Sequence, residues 1–521
     1  MVLMRRSMAF RLAGIAGLTG LGVLAAGCSS GQPAPVSTAF AGAATPTGSW
    51  AEPNGDLANT RDADSVISSA NVSKLREAWT FKLTGTAAKS LTDDGSLAAA
   101  PVVTGGVVYL QDLYANVYAI SLATGKLKWE YQVNMAAKSG PGPDGVAVSG
   151  GVVYGDSSTA AFALSAATGK VLWNDRDLLT SKQGYFEIQP AVGGGRVYLG
   201  SAYGSGPGGG VILALDAATG KQLWSFNTVT GSQPGVQALG LGSGGVWETP
   251  LVGSDGSVTF GTGNPYQSVG EAISHPSQQL YTDSAVNLDA ATGKLRWYYQ
   301  AVANDFKDYD LQLSPIAASV HGVPAVISGG KMGYVYAMNS ATGALLWKTP
   351  VGAHDGHDND SQLLLEHRLK LTLPYSYEPG ALGGILTNMA VADGSVYLVT
   401  SNLLFQMTTA TTVNGVPLAS DKPAGEIEAL SLATGKVEWD TKVASLPFGA
   451  ATVSNDLVFT TLYSGELIAL NRATGAIVYR QALPASTNAP IAVTGNTILV
   501  PAGAPGASPK GGSQLVAYSV P

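Results

Sequence analysis

YAISLATGKLKW (118–129), FALSAATGKVLW (162–173), LALDAATGKQLW (213–224), VNLDAATGKLRW (286–297), YAMNSATGALLW (336–347), EALSLATGKVEW (428–439) and IALNRATGAIVY (468–479) are seven copies of one phrase. In each, a strand-like apolar stretch meets Ala-Thr-Gly, and Trp follows four residues after the Gly, or Tyr in the last copy. Thr-Gly is turn chemistry, because Gly takes a positive φ without a Cβ penalty and the Thr hydroxyl bonds nearby backbone. The aromatic then returns on the next strand, so each phrase reads as a hairpin. Hairpin units repeated at periods near 40–50 residues mark a propeller or array.

The motif glycines Gly125, Gly169, Gly220, Gly293, Gly343, Gly435 and Gly475 are separated by 44, 51, 73, 50, 92 and 40 residues. Four short strands with turns fill the shorter gaps, so each repeat is one four-stranded blade. The gaps of 73 and 92 residues must carry insertions. Both chain ends hold pieces of an eighth unit. NAPIAVTGNTILVPAG (488–503) and SQLVAYSV (513–520) supply three strands, and VSKLREAWTFKL (72–83) supplies a fourth, with Trp79 lying 50 residues before Trp129. The reading is an all-β, eight-bladed propeller over residues 61–521, closed by that N-terminal strand so that no sheet edge stays open. The 66 glycines and only 12% charged residues suit such a fold.

The N-terminus reads as an address. Arg5, Arg6 and Arg11 precede an apolar run to Ala26 and then Gly27-Cys28-Ser29, so residues 1–27 form a signal peptide. Leu24-Ala25-Ala26-Gly27-Cys28 resembles the lipobox of bacterial lipoproteins, which implies lipidation of Cys28 and anchorage to a membrane of the bacterial envelope. Cys28 is the only cysteine, so no disulfide supports the fold. Residues 28–60, rich in Ser, Ala, Pro, Gly and Thr, read as a flexible tether. Loss of residues 1–27 moves the formal charge from −7 to −10, which disfavours nucleic acid as a partner.

The chemistry has to sit in the atypical blades. GSGGVWETPLVGSDGSVTFGTGNPYQ (242–267), QQLYTDSAVNLDAATGKLRWYYQAVANDFKDYDLQLSP (278–315) and ISGGKMGYVYAMNSATG (327–343) carry the distinctive residues. Together with the repeats, these segments are similar to the quinoprotein family, whose eight-bladed propellers include the alcohol dehydrogenases that depend on pyrroloquinoline quinone (PQQ). The resemblance implies that Trp247 stacks on the cofactor and that Asn264 gives its amide oxygen to a metal ion. It implies Asp308 as general base and further metal ligand, and Asp310 as the extra acid used by lanthanide-type members. Lys331 would lie beside the reactive quinone oxygens, as a catalytic and cofactor-binding residue. The implied cofactors are PQQ with calcium or a lanthanide ion, and the implied partners are a small-molecule alcohol and an electron acceptor. An ionised Asp308, its pKa held low by a cation, is part of that expectation.

The chain also departs from the family. No vicinal cysteine pair exists, Pro143-Asp144-Gly145 stands near the place of a cofactor-contacting Arg, and 201–215 lacks the expected metal-ligating Glu. Plainer readings stand alongside: Trp247 as inter-blade packing, Asn264-Pro265 as a turn, and Asp305, Asp308 and Asp310 as a solvated loop. A non-catalytic repeat propeller, similar to the lipoprotein subunit of the outer-membrane β-barrel assembly machine, is the alternative. It would meet an envelope protein through loops 264–282 and 348–384. HDGHDNDSQLLLEHR (354–368) gathers His354, His357 and His367 with Asp355, Asp358 and Asp360. That set reads either as a transition-metal site or as turn caps that knit the insertion to the propeller. The Gly-rich run 204–210 precedes a strand rather than a helix, so it is not a phosphate loop.

Overall fold

Every repeat becomes one sheet of a ring. The computed structural model describes residues 49–83, 96–135, 142, 144–204, 209–229, 243–418, 422–503 and 513–521. Among them lie eight antiparallel blade sheets, each built on a four-strand meander, and one separate three-stranded sheet. Blade one runs Val102–Thr104, Val107–Gln111, Val117–Ser121 and Leu127–Tyr131, and the pattern recurs around the ring. Blade eight is composite. Arg76–Lys82 pairs antiparallel with Gln514–Ser519, with Trp79 opposite Ala517, so the N-terminal strand completes the last blade as the sequence reading expects. Residues 1–48, with the signal peptide, Cys28 and most of the tether, lie outside the described residues. No helix among the described residues is long and apolar enough to cross a membrane.

The repeat phrase is explained by contacts between blades. All seven motif glycines have φ between +66° and +76°. A Cβ added at any of them would lie 2.5 to 2.7 Å from the indole of the tryptophan on the preceding blade. Trp129 covers Gly169, Trp224 covers Gly293, and Trp79 covers Gly125 across the closure. Each of these indoles also donates to a carbonyl three residues before its glycine, as in Trp79 to Leu122 (2.8 Å), Trp129 to Ala166 (2.9 Å) and Trp297 to Ser340 (2.8 Å). Gly is thus required twice over, for its backbone angle and for the ring lying against it.

The tether reading needs correction at its C-terminal end. Trp50, Asn54, Asn59 and Arg61 are buried, and residues 49–66 run across the ring. The Arg61 guanidinium, fully buried, donates to Ala451 O, Asn54 Oδ1, Thr452 Oγ1 and Ile491 O, and lies 5.3 Å from the Trp50 ring. Composition suggested a linker, but a buried cation with so many acceptors fixes this segment as part of the propeller.

The insertions build a cap on one side. Blade four carries helix Val269–Ser274, with Ser268 and Glu271 forming a capping box. The long gap before the sixth motif holds helix Asp360–Leu365 and the three-stranded sheet of Tyr375–Tyr377, Phe405–Met407 and Val416–Pro417. Val269 N and Gly270 N donate to Thr412 O (3.1 Å) and Ala410 O (2.8 Å), which joins the two insertions.

Candidate active site

The loop 305–310 hands a carboxylate to a cavity. Asp305 accepts from Lys307 N (2.9 Å) and Tyr309 N (2.7 Å), tightening the turn, and Asp308 sits on it with φ +67°. Burial of Asp305 pushes its carboxyl up to about 6, against these same amide bonds. The cap clamps this loop from outside. Tyr309 Oη donates to Pro379 O (2.9 Å), Tyr377 Oη donates to Lys307 O (3.2 Å), and Lys307 Nζ donates to His357 O (2.6 Å) while lying 4.4 Å from the Tyr309 ring centroid. Sequence reading gave Lys307 no role, because a buried lysine is rare and its partners are a remote backbone carbonyl and a ring.

Asp308, Asp310, Asn264 and Lys331 meet. Lys331 Nζ lies 3.0 Å from Asp308 Oδ2 and 2.6 Å from Asp310 Oδ2, the second contact being an ion pair too oblique for a hydrogen bond. Asn264 Nδ2 donates to Asp308 Oδ1, and Asn264 N donates to Asp310 Oδ1 (2.7 Å). Tyr266 N donates to Asn264 Oδ1 (2.9 Å), which orients the amide. The three acids of the loop are buried rather than solvated, so the plainer reading of them fails.

Burial opposes the Lys331 charge, but the Asp308 and Asp310 carboxylates outweigh it and hold the ammonium well above the usual lysine range. The Asp308 carboxyl, among the protein's own groups, is shifted upward. Burial pushes it well above the usual carboxylate range, the Asp310 charge adds to that, and Lys331 only partly opposes them.

A cavity of about 260 Å³ opens beside this group, lined by Trp247, Tyr266, Asp308, Lys331, Tyr203 and Glu187, with Leu382 and Leu386 from the cap. Trp247 is unlike the other tryptophans. Seven indoles lock blades and Trp50 packs on Arg61, whereas Trp247 lines the cavity and lies against Gly263, where a Cβ would come within 2.6 Å of its ring.

Glu187, from FEIQP (186–190), also lines the cavity and had no role in the sequence reading. Its Oε1 accepts from Gly142 N (3.0 Å), and burial, with the nearby Asp144 charge, pushes its carboxyl well up. Much of the stretch 135–148, where the Cys pair and Arg were sought, lies outside the described residues.

The histidines do not converge. His354 Nδ1 pairs with Asp358 (2.7 Å), and His357 Nδ1 pairs with Asp360 (2.8 Å), which Tyr375 Oη also reaches (2.9 Å). Their geometry is that of cap fastening.

A repeat propeller whose cavity joins a buried carboxylate, an ammonium, an amide turn and an open tryptophan face defines a quinoprotein-type chain. Residues 50–353 match the family described as glucose/ethanol/alcohol dehydrogenase, β-propeller domain, and the chain belongs to that family. Residues 423–520 match the family of the outer membrane protein assembly factor BamB. A polyvinylalcohol dehydrogenase of Sphingopyxis sp. is 28% identical over 313 residues, covering 52% of this chain and 41% of that protein. The chain therefore spans less than half of that relative's length. The quinoprotein alcohol dehydrogenase PedH of Pseudomonas putida is 26% identical over 469 residues, 78% of this chain and 77% of that one. The crystal structure of the quinohemoprotein alcohol dehydrogenase from Comamonas testosteroni superposes with a TM-score of 0.76 at 23% identity, covering 92% of this chain and 81% of that one.

Proposed function

We propose that this chain oxidises an alcohol with PQQ and a hard cation, calcium or a lanthanide, in the cavity of Asp308. The observation that carries this reading is the convergence of Asp308, Asp310, Asn264 and Lys331 beside the one cavity-facing tryptophan.

The residues fit such a group. Asp308 and Asp310 offer oxygens, as a hard cation prefers, and Lys331 Nζ already marks where this carboxylate pair holds positive charge. The Asn264 amide, whose nitrogen faces Asp308 and whose oxygen accepts from Tyr266 N, would have to turn over to add its own oxygen. The Trp247 face, held against Gly263, offers a flat wall for a planar ring. Bound there, the quinone would supply the hydride acceptor and the cation would make it more electrophilic. Asp308, held ionised by a cation bound beside it, would take the hydroxyl proton. Lys331, an ammonium between two carboxylates, neutralises charge at the oxygen nearest it. Asp310, the additional carboxylate, favours a trivalent ion over a divalent one.

We also place the chain in the bacterial envelope, held to a membrane by lipid on Cys28, and passing electrons to a separate acceptor. The scaffold alternative is supported only by the match of the last blades, residues 423–520. The test is reconstitution: purified protein mixed with PQQ and Ca²⁺ or La³⁺, then desalted. About one quinone per chain should stay bound, and an artificial dye should be reduced on addition of an alcohol. Loss of all quinone on desalting with either ion would end this reading.

A further inference from the structure

Two of the residues that line the cavity with Asp308, Leu382 and Leu386, are apolar and come from the long insertion before the sixth motif. Residues 379–385 are buried with one exception, Leu382, which is 49% exposed and lines the cavity. The loop that carries it is pinned. Gly380 N donates to Leu403 O (2.8 Å), Gly383 N to Gly380 O (2.7 Å), Gly384 N to Ser401 O (2.9 Å) and Ile385 N to Gly330 O (3.1 Å). Gly384, at φ +64°, lies against the Lys331 backbone so closely that any Cβ would collide with Lys331 O. The backbone on both sides of Leu382 is therefore held, with Gly384 against Lys331, while the Leu382 side chain stands half in water. A large apolar side chain fixed in this way gains only when something apolar covers it. Leu386, Tyr203 and Tyr266 line the same cavity.

We infer that Leu382 is a specificity-determining residue and that the substrate class is alcohols with an extended apolar body, the carbon chain lying along Leu382 and Leu386 while the hydroxyl reaches Asp308. As a substrate assignment this rests on the alcohol-oxidising reading above; as a statement about binding it does not. Each methylene taken fully from water is worth about a four-fold gain in affinity. Leu382 is one part of the cavity lining, so half that effect on a logarithmic scale, about two-fold per methylene, is expected from it.

The test compares ethanol, propan-1-ol, butan-1-ol and hexan-1-ol on wild-type protein and on Leu382→Ser. This position is half exposed, so the substitution leaves the fold intact. With the quinone-loaded protein, kcat/KM should climb steadily with chain length. Leu382→Ser should cut the preference for hexan-1-ol over ethanol by about ten-fold or more. In parallel, calorimetric binding of hexan-1-ol and propan-1-ol to cofactor-free protein should favour hexan-1-ol by about ten-fold or more, a preference that Leu382→Ser cuts by about eight-fold, about two-fold for each of the three methylenes. A flat series in both assays, or a preference that Leu382→Ser leaves unchanged, overturns the inference. If alcohols are oxidised without regard to length, the catalytic reading stands and this one falls. If nothing is oxidised but the binding preference depends on Leu382, the reverse holds.

Discussion

Gly125→Ala is the sharpest test of how the ring is held. Gly125 sits at φ +66°, and a Cβ there would lie 2.6 Å from the Trp79 ring. Adopting the left-handed angle costs an L-residue about 1–2 kcal/mol. Restoring an ordinary contact pushes the indole back by roughly 1 Å, which stretches its 2.8 Å bond to Leu122 O out of range and costs about 1 kcal/mol more, together with lost packing. The sum is about 3 kcal/mol. Gly106, in the same blade, has φ +73° and nothing within 4 Å of an added Cβ, so Gly106→Ala carries the strain alone.

Urea unfolding followed by tryptophan fluorescence should therefore rank Gly125→Ala below Gly106→Ala by about 2 kcal/mol. In a Trp79→Ala background the two substitutions should cost the same, because the clash has gone. Equal costs in the presence of Trp79 would refute the claim that the phrase is an inter-blade lock, and with it the closure of the ring by 76–82.

Trp247→Ala should reduce quinone retention by about ten-fold or more, yet shift the urea midpoint less than Trp129→Ala, since Trp247 locks no blade; comparing the two variants checks this. Glu428 is buried, and burial with the neighbouring Glu426 raises its carboxyl to about 8, so its stabilising contribution is complete below its unfolded value near 4.5 and is lost as pH rises through 8. Stability measured from pH 5 to pH 9 should fall with pH, and Glu428→Gln should flatten that fall over the same window. Cys28→Ala should release the protein to the soluble fraction or leave an unprocessed precursor, and unchanged membrane partitioning would refute the anchor.

The fold was legible because a propeller repeats its solution. Thr-Gly and the aromatic four residues later appear in seven of the eight blades, and the inter-blade contact needs just those residues. Closure was readable from Trp79 because its spacing to Trp129 repeats the blade length. The site was legible in part. Asn264, Asp308, Asp310 and Lys331 lie in segments whose order follows the chain through blades four and five, so sequence position and spatial position agree. Glu187, Leu382 and Lys307 were not legible. Each acts through a loop whose path depends on tertiary packing, and none has a spacing that periodicity could flag. The tether boundary failed for a related reason: composition cannot tell a polar linker from a polar segment whose side chains bond to the blades, as Asn54 and Asn59 show.

The most direct measurement mixes quinone-loaded protein with alcohol in the absence of oxygen and of any other acceptor, and follows the quinone absorbance. Wild-type protein should lose the oxidised spectrum to the extent of about one equivalent per chain, in a single phase. Asp308→Asn should hold the oxidised spectrum for at least about a thousand times longer, the scale expected when the group that removes the proton is lost. Equal bleaching in the two proteins, or no bleaching in wild type with any alcohol, would contradict the account.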